Sequence, residues 1–131
     1  MLSRRYCLLL LALALPALAI AGCGGDRPDL GTVHGVVTVD GQPVEGAEIR
    51  FEPADASSRG AWGISGPDGR YQLFYIRDIK GAPVGECTVR ITTATEGRGE
   101  MLPPTYHVQS TLKRTVEPGD NEINFNLKTN P

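Results

Sequence analysis

The chain has 131 residues, with 13 Lys and Arg against 15 Asp and Glu, and a formal net charge of −2 at pH 7. That length suits one domain with one modest core. The mildly acidic, unclustered charge has no basic stripe and no aromatic–basic interleaving, which argues against nucleic-acid binding.

The N-terminus reads as a secretory signal over residues 1–22. Arg4 and Arg5 supply the positive region, Cys7 to Leu15 is unbroken and apolar, and Ala17 to Gly22 is small and apolar after Pro16. The apolar run is shorter than the ~20 residues that a bilayer span needs. Ile20-Ala21-Gly22-Cys23 resembles the lipobox of bacterial lipoproteins. The resemblance implies that the Cys23 thiol receives a diacylglycerol, that the signal is cut before it, and that the new amine is acylated. The alternative is an ordinary cleavage site beside a chance cysteine. Cleavage would remove Arg4 and Arg5 and no acid, so the mature surface has no electrostatic grip on anionic lipid. The acyl chains would hold it alone, at about 0.8 kcal/mol per buried methylene, and two or more chains make a stable anchor. The expected location is the bacterial cell envelope, lipid-anchored in a membrane and facing the periplasm or the cell exterior. Gly24 after the cysteine leaves inner and outer membrane both open.

Residues 23–31 form the lipidated cysteine and a short tether, polar and rich in Gly and Pro from Gly24 to Gly31. Residues 32–128 form the domain. Thr32 to Val39 carries Val33, Val37 and Val39 at even spacing, and Asp40-Gly41 is a hairpin signal. Glu45 to Glu52 points Ala47, Ile49 and Phe51 inward, and Pro53 to Arg59 is a polar loop. Gly60 to Ser65 is a Gly-rich strand expected at a sheet edge. Asp68-Gly69 is a second hairpin signal, followed by a strand Arg70 to Tyr75 with Tyr71, Leu73 and Tyr75 on one face. Arg77 to Gly85 is a loop. Glu86 to Thr93 is a strand with Cys87, Val89 and Ile91 inward. Ala94 to His107 is a long loop. Ser110 to Val116 follows, with Leu112 and Val116 in the core, and the last strand turns Ile123, Phe125 and Leu127 inward. About seven short strands with Gly, Pro and Asp turns, and no helical periodicity, predict an all-β sandwich.

Val33-His34-Gly35-Val36-Val37-Thr38-Val39-Asp40-Gly41-Gln42-Pro43-Val44-Glu45-Gly46-Ala47-Glu48-Ile49-Arg50-Phe51, Pro67-Asp68-Gly69-Arg70-Tyr71-Gln72-Leu73 and Gly81-Ala82-Pro83-Val84-Gly85-Glu86-Cys87-Thr88-Val89-Arg90-Ile91 resemble carboxypeptidase regulatory-like domains. Pro104-Thr105-Tyr106 and Gly119-Asp120-Asn121-Glu122-Ile123-Asn124-Phe125-Asn126-Leu127 are similar to the end of the small bacterial lipoprotein versions. The resemblance spans about Thr32 to Lys128. It implies a seven-stranded antiparallel Greek-key β-sandwich of the transthyretin-like (prealbumin-like) kind. The motif residues have folding explanations of their own. Tyr71, for one, buries a ring while its hydroxyl reaches backbone.

Catalytic chemistry is not evident. Cys7 leaves with the signal and Cys23 becomes a thioether, so Cys87 has no disulfide partner and reads as a small core residue. His34 and His107 lie in no metal-ligand spacing with a cysteine or acid; no metal and no cofactor is expected. Gly63-Ile64-Ser65-Gly66 is not a nucleophile elbow, because Pro67 stands where the elbow needs Gly. Asn124 and Asn126 invite a Lys–Asn cross-link, but the first strand has no Lys. The transthyretin-like enzyme family that hydrolyses 5-hydroxyisourate carries a Tyr-Arg-Gly-Ser tail at its site. This chain has Lys128-Thr129-Asn130-Pro131.

Trp62, the single tryptophan, has two readings. In the preferred one, Trp62 and Ile64 cover one end of the core. In the other, an exposed aromatic beside small residues (Gly60, Gly63) stacks on a sugar, with the Ala94 to His107 loop at the site. The expectation is therefore a non-enzymatic membrane-anchored envelope lipoprotein with a structural or binding β-sandwich, its partners the membrane and an envelope protein or glycan. The alternative is a carbohydrate- or peptidoglycan-binding module, and a transthyretin-like hydrolase comes last.

Overall fold

The computed structural model describes residues 27–95 and 97–130; residues 1–22, read as a signal, and Cys23 lie outside them. The elements in chain order are β1 (Leu30–Val39), β2 (Gln42–Pro43), β3 (Glu48–Pro53), β4 (Ala61–Ile64), β5 (Arg70–Gln72), β6 (Phe74–Ile76), β7 (Ile79–Lys80), β8 (Ala82–Pro83), β9 (Gly85–Thr92), a 3-10 turn (Pro104–Tyr106), β10 (Lys113–Val116), β11 (Gly119–Glu122) and β12 (Phe125–Leu127). They form an all-β sandwich of two sheets. One is built on β1; the other runs β10-β9-β3-β4-β6-β7 and is antiparallel throughout.

All seven expected strands are present. Alternation decides their inner faces: Val33, Val37 and Val39 from β1, Ile49 and Phe51 from β3, Cys87, Val89 and Ile91 from β9, and Phe125 and Leu127 from β12 meet in one buried cluster. Leu112 and Ile123 pack against it half-buried. Phe125 sits at its centre, edge-on to Phe51 (centroids 6.3 Å apart) and tilted against Tyr71 (6.1 Å). Arg114 also points inward and lays its guanidinium over the Phe125 ring at 5.2 Å. Burial and the loss of hydration push the Tyr71 hydroxyl well above the ordinary tyrosine range. It donates to the Ile123 carbonyl at 2.6 Å, as the buried-ring reading of Tyr71 anticipates. Cys87 is fully buried, and burial raises its thiol pKa, with Glu86 adding to the effect.

The pairing differs from expectation in several places. β1 starts at Leu30, so the ladder takes Leu30 and Gly31 from the segment read as a tether. The Gly60 to Ser65 strand is interior, between β3 and β6, and not at an edge. Its glycine has another cause: a Cβ on Gly63 would lie 2.2 Å from the Gln72 carbonyl oxygen, so only hydrogen fits where the chain crosses behind it. The strand from Arg70 to Tyr75 divides at Leu73. β5 pairs with β1 in one sheet, and β6 pairs with β4 in the other. Asp68-Gly69 therefore makes a turn, with the Gly66 amide bonded to Arg70 (2.8 Å), between strands of different sheets. The segment read as a loop from Arg77 to Gly85 contains the short strands β7 and β8.

The last strand also divides, and both halves run parallel to β1. At the break the Ile123 amide donates to His34 (2.8 Å) and the Asn124 side-chain oxygen accepts from the Val36 amide (2.9 Å). A side chain thus takes a place in the backbone ladder. Asn126 accepts from Thr38 Oγ1 at 2.9 Å. Gly31 is in register with both Ala82 and Gly119, and Val39 with both Gln42 and Leu127. β1 is therefore flanked on both sides along its length. Asn121, on the inward parity of the last strand, is buried. Its side chain accepts from the Glu117 amide (2.9 Å) and donates to the Thr32 and Glu117 carbonyls (3.0 and 2.8 Å), which ties off the turn before β11.

Candidate functional site

The outer face of the antiparallel sheet carries the most unusual surface. In β4 the small residues Ala61 and Gly63 point inward, so the same alternation turns Trp62 and Ile64 to solvent. Trp62 is 50% exposed and Ile64 48%. The reading of these two residues as a cover for the core is overturned: the inward positions of β4 are Ala61 and Gly63, and the Gln72 carbonyl leaves no room behind Gly63 for a larger side chain. The described aromatic and cation–ring contacts involve Phe51, Tyr71, Phe125 and Arg114, not Trp62.

Strand register fixes the neighbours of Trp62. It is paired with Phe74 of β6 on one side and with Arg50 of β3 on the other, and Arg50 is paired with Arg90 of β9. The row Phe74, Trp62, Arg50, Arg90 therefore crosses four strands at right angles to their direction. Each arginine is held by a carboxylate on the same face. Arg50 Nε donates to Glu48, and Arg90 Nε donates to Glu52 at 2.9 Å. A groove of about 400 Å³ lies beside Trp62 between Glu48, Arg50 and Glu52. A second, of about 430 Å³, continues past Arg50 to Arg90, His107 and Val108.

His107, the end of the Ala94 to His107 loop, and Val108 form the far wall, and one carboxylate ties residues 92–102 together. Glu100 accepts from Thr92 Oγ1, from the Thr93 amide (3.1 Å) and hydroxyl (2.8 Å), and from the Leu102 amide (3.0 Å). Burial raises its pKa, but the donors from Thr92, Leu102 and Thr93 outweigh burial and hold it at about 2. Arg90 Nη1 donates to the His107 carbonyl, which pins the end of the loop to the sheet. Val108 just beyond is 73% exposed. Glu100 and Arg90 escape a motif search because neither lies in a recognisable spacing.

His34 is placed on the outer face of the other sheet. Its Nε2 lies 2.9 Å from Asp120, which also accepts from Thr32 at 2.7 Å. The His34 and Thr32 hydrogen bonds hold the Asp120 carboxyl below its usual range. The pair is exposed, and no hydroxyl or thiol nucleophile bonds to His34 among the described residues. Among the described residues no group of three or more His, Cys, Asp or Glu is placed to hold a metal ion, and no helix is long and apolar enough to cross a membrane.

No protein-family model matches the chain, and no curated protein matches it. Among solved structures it is similar to a DUF3823 family protein from Parabacteroides merdae, at 18% identity and a TM-score of 0.46, over 76% of this chain and 46% of that one. This chain thus spans less than half the length of that protein. It is also similar to the dioxygenase domain of a dioxygenase carbohydrate-binding protein fusion from the cellulolytic bacterium Streptomyces sp. SirexAA-E. That match has 18% identity and a TM-score of 0.41, over 80% of this chain and 83% of that one.

Proposed function

We propose that this chain is a non-enzymatic envelope lipoprotein, anchored through Cys23, whose carboxypeptidase regulatory-like β-sandwich binds a glycan on the outer face around Trp62. The observation that carries the binding reading is the half-exposed, unstacked Trp62 ring in register with Arg50 and Phe74. A flat indole offers an apolar face to the C–H side of a sugar ring, and the neighbouring guanidinium and carboxylate groups supply donors and acceptors for its hydroxyls. An indole packed in the core could do neither.

Sedimentation with insoluble peptidoglycan tests this reading. Native Trp62 fluorescence should be red-shifted, as for a wet indole. Trp62→Ala should cost about 1–2 kcal/mol, from the covered half of the ring and its cross-strand neighbours, well below the about 3–5 kcal/mol of a fully buried aromatic. Retention on peptidoglycan should fall about tenfold or more, since a hot-spot aromatic supplies at least about 1.4 kcal/mol. Unchanged retention would sink the glycan reading.

The anchor rests on the Ile20-Ala21-Gly22-Cys23 run behind Arg4, Arg5 and the apolar stretch. Intact mass of the native protein should show a chain that begins at Cys23 and carries acyl groups, and Cys23→Ala should leave the precursor uncleaved. An unmodified chain starting elsewhere would overturn it. With the ladder beginning at Leu30 and the Asp29 carbonyl accepting from the Val84 amide (2.9 Å), the tether is Gly24 to Pro28 and reaches at most about 17 Å. Such an anchor keeps the sandwich close to its membrane.

A further inference from the structure

On the reading that Trp62 stacks on a sugar, we infer that the ligand is a linear, uncharged glycan lying across the strands, with a second contact point at Arg90 and Val108. Two observations carry this. The first is direction. The two grooves adjoin at the Glu48–Arg50 pair, so together they run from Trp62 to Val108. From Trp62 past Arg50 to Arg90 this line follows the register row, and beside Trp62 it also widens along β3 from Glu48 to Glu52. Adjacent strands lie about 4.8 Å apart, close to the advance of one unit in an extended β-linked chain. A sugar on Trp62 therefore places the next over Arg50 and a third at Arg90, against the wall that Val108 ends. A monosaccharide or a chain end would use only the first of these places.

The second is charge. The row holds two guanidiniums, and each has its Nε committed to a carboxylate beside it, Arg50 to Glu48 and Arg90 to Glu52. The four groups cancel. What remains is a set of paired donors and acceptors with no net charge. That set suits hydroxyl and amide groups, whereas an acidic polymer would meet Glu48 and Glu52 together with the arginines. The Arg90 bond to the His107 carbonyl sets the position of the far wall before any ligand arrives, which reduces the ordering cost of binding.

The test is a Trp62 fluorescence titration of the detergent-solubilised protein with N-acetylglucosamine oligomers of increasing length, cello-oligomers, and oligogalacturonates as the acidic counterpart. Affinity for an uncharged series should rise about tenfold from two units to three, the size of one good contact, and then level off. Oligogalacturonates should bind more weakly at every length. Val108→Ser removes an exposed side chain outside the core, so the fold should stand. It should lower affinity for the trimer and leave the dimer unchanged, whereas Trp62→Ala should weaken both. Equal affinity for dimer and hexamer overturns the three-place line but leaves the Trp62 reading intact. Tighter, salt-sensitive binding of oligogalacturonates overturns the uncharged ligand. Failure of every oligomer to bind while peptidoglycan retention still depends on Trp62 overturns the whole inference and spares the reading beneath it. Retention that ignores Trp62 overturns that reading.

Discussion

Phe125→Ala should destabilise the domain by about 3–5 kcal/mol, the usual cost of emptying a fully buried aromatic site. Phe125 is 2% exposed and joins Phe51 of one sheet to Tyr71 of the other, with Arg114 closing the open side. Its removal opens a cavity between layers that meet through this ring, and it also leaves the Arg114 guanidinium over a void. A domain of this size holds only about 5–15 kcal/mol in total, so the variant should unfold at far lower urea with an unchanged slope. A loss below about 1 kcal/mol would show that the two sheets do not depend on this contact.

Gly35→Ala should be nearly as severe for a different reason. Gly35 occupies an inward position of β1, and a Cβ there would sit 1.9 Å from the Ile123 carbonyl oxygen. That oxygen belongs to backbone and also accepts the Tyr71 hydroxyl, so it has little room to give. Displacing it breaks the Tyr71 bond and disturbs the junction of β11 and β12. Overpacking costs about 1–3 kcal/mol, and a buried hydroxyl left without a partner adds about 1–3 kcal/mol. Urea titration of Gly35→Ala beside Tyr71→Phe separates the two contributions. If Gly35→Ala matched wild type, the close passage of Ile123 over β1 would be wrong.

These two sites also show what a single sequence can display. Alternation within Ile49 and Phe51, or Cys87, Val89 and Ile91, is local, so their burial follows from period two alone. The same rule sorts β4 into Ala61 with Gly63 and Trp62 with Ile64 but does not say which pair faces in. Size favours the larger pair, and the larger pair is the wrong choice. The deciding fact is the Gln72 carbonyl behind Gly63, which arrives from the next strand. Parity likewise marks Tyr71, Leu73 and Tyr75 as one face yet cannot show that the backbone changes sheets at Leu73, because pairing partners are non-local. Asn121 shares the inward parity of Ile123, and only the Glu117 turn explains a polar residue there. Within the candidate site, Trp62 stands out as a residue type. Its row with Arg50 and Arg90 exists only once β4, β3 and β9 are in register.

The placement of β1 has a mechanical consequence. The strand nearest the proposed anchor begins at Leu30 and is bonded on one side to β8, β5 and β2 and on the other to β11 and β12. A pull on the lipid-bearing end, resisted by a polymer gripped on the sandwich flank, acts along β1. Every rung on both sides then takes load together in shear, and none opens singly from an end. The proposed anchor would thus enter the domain through a strand bonded on both sides, as the proposed attachment to a membrane at one end and to a glycan at its side would require.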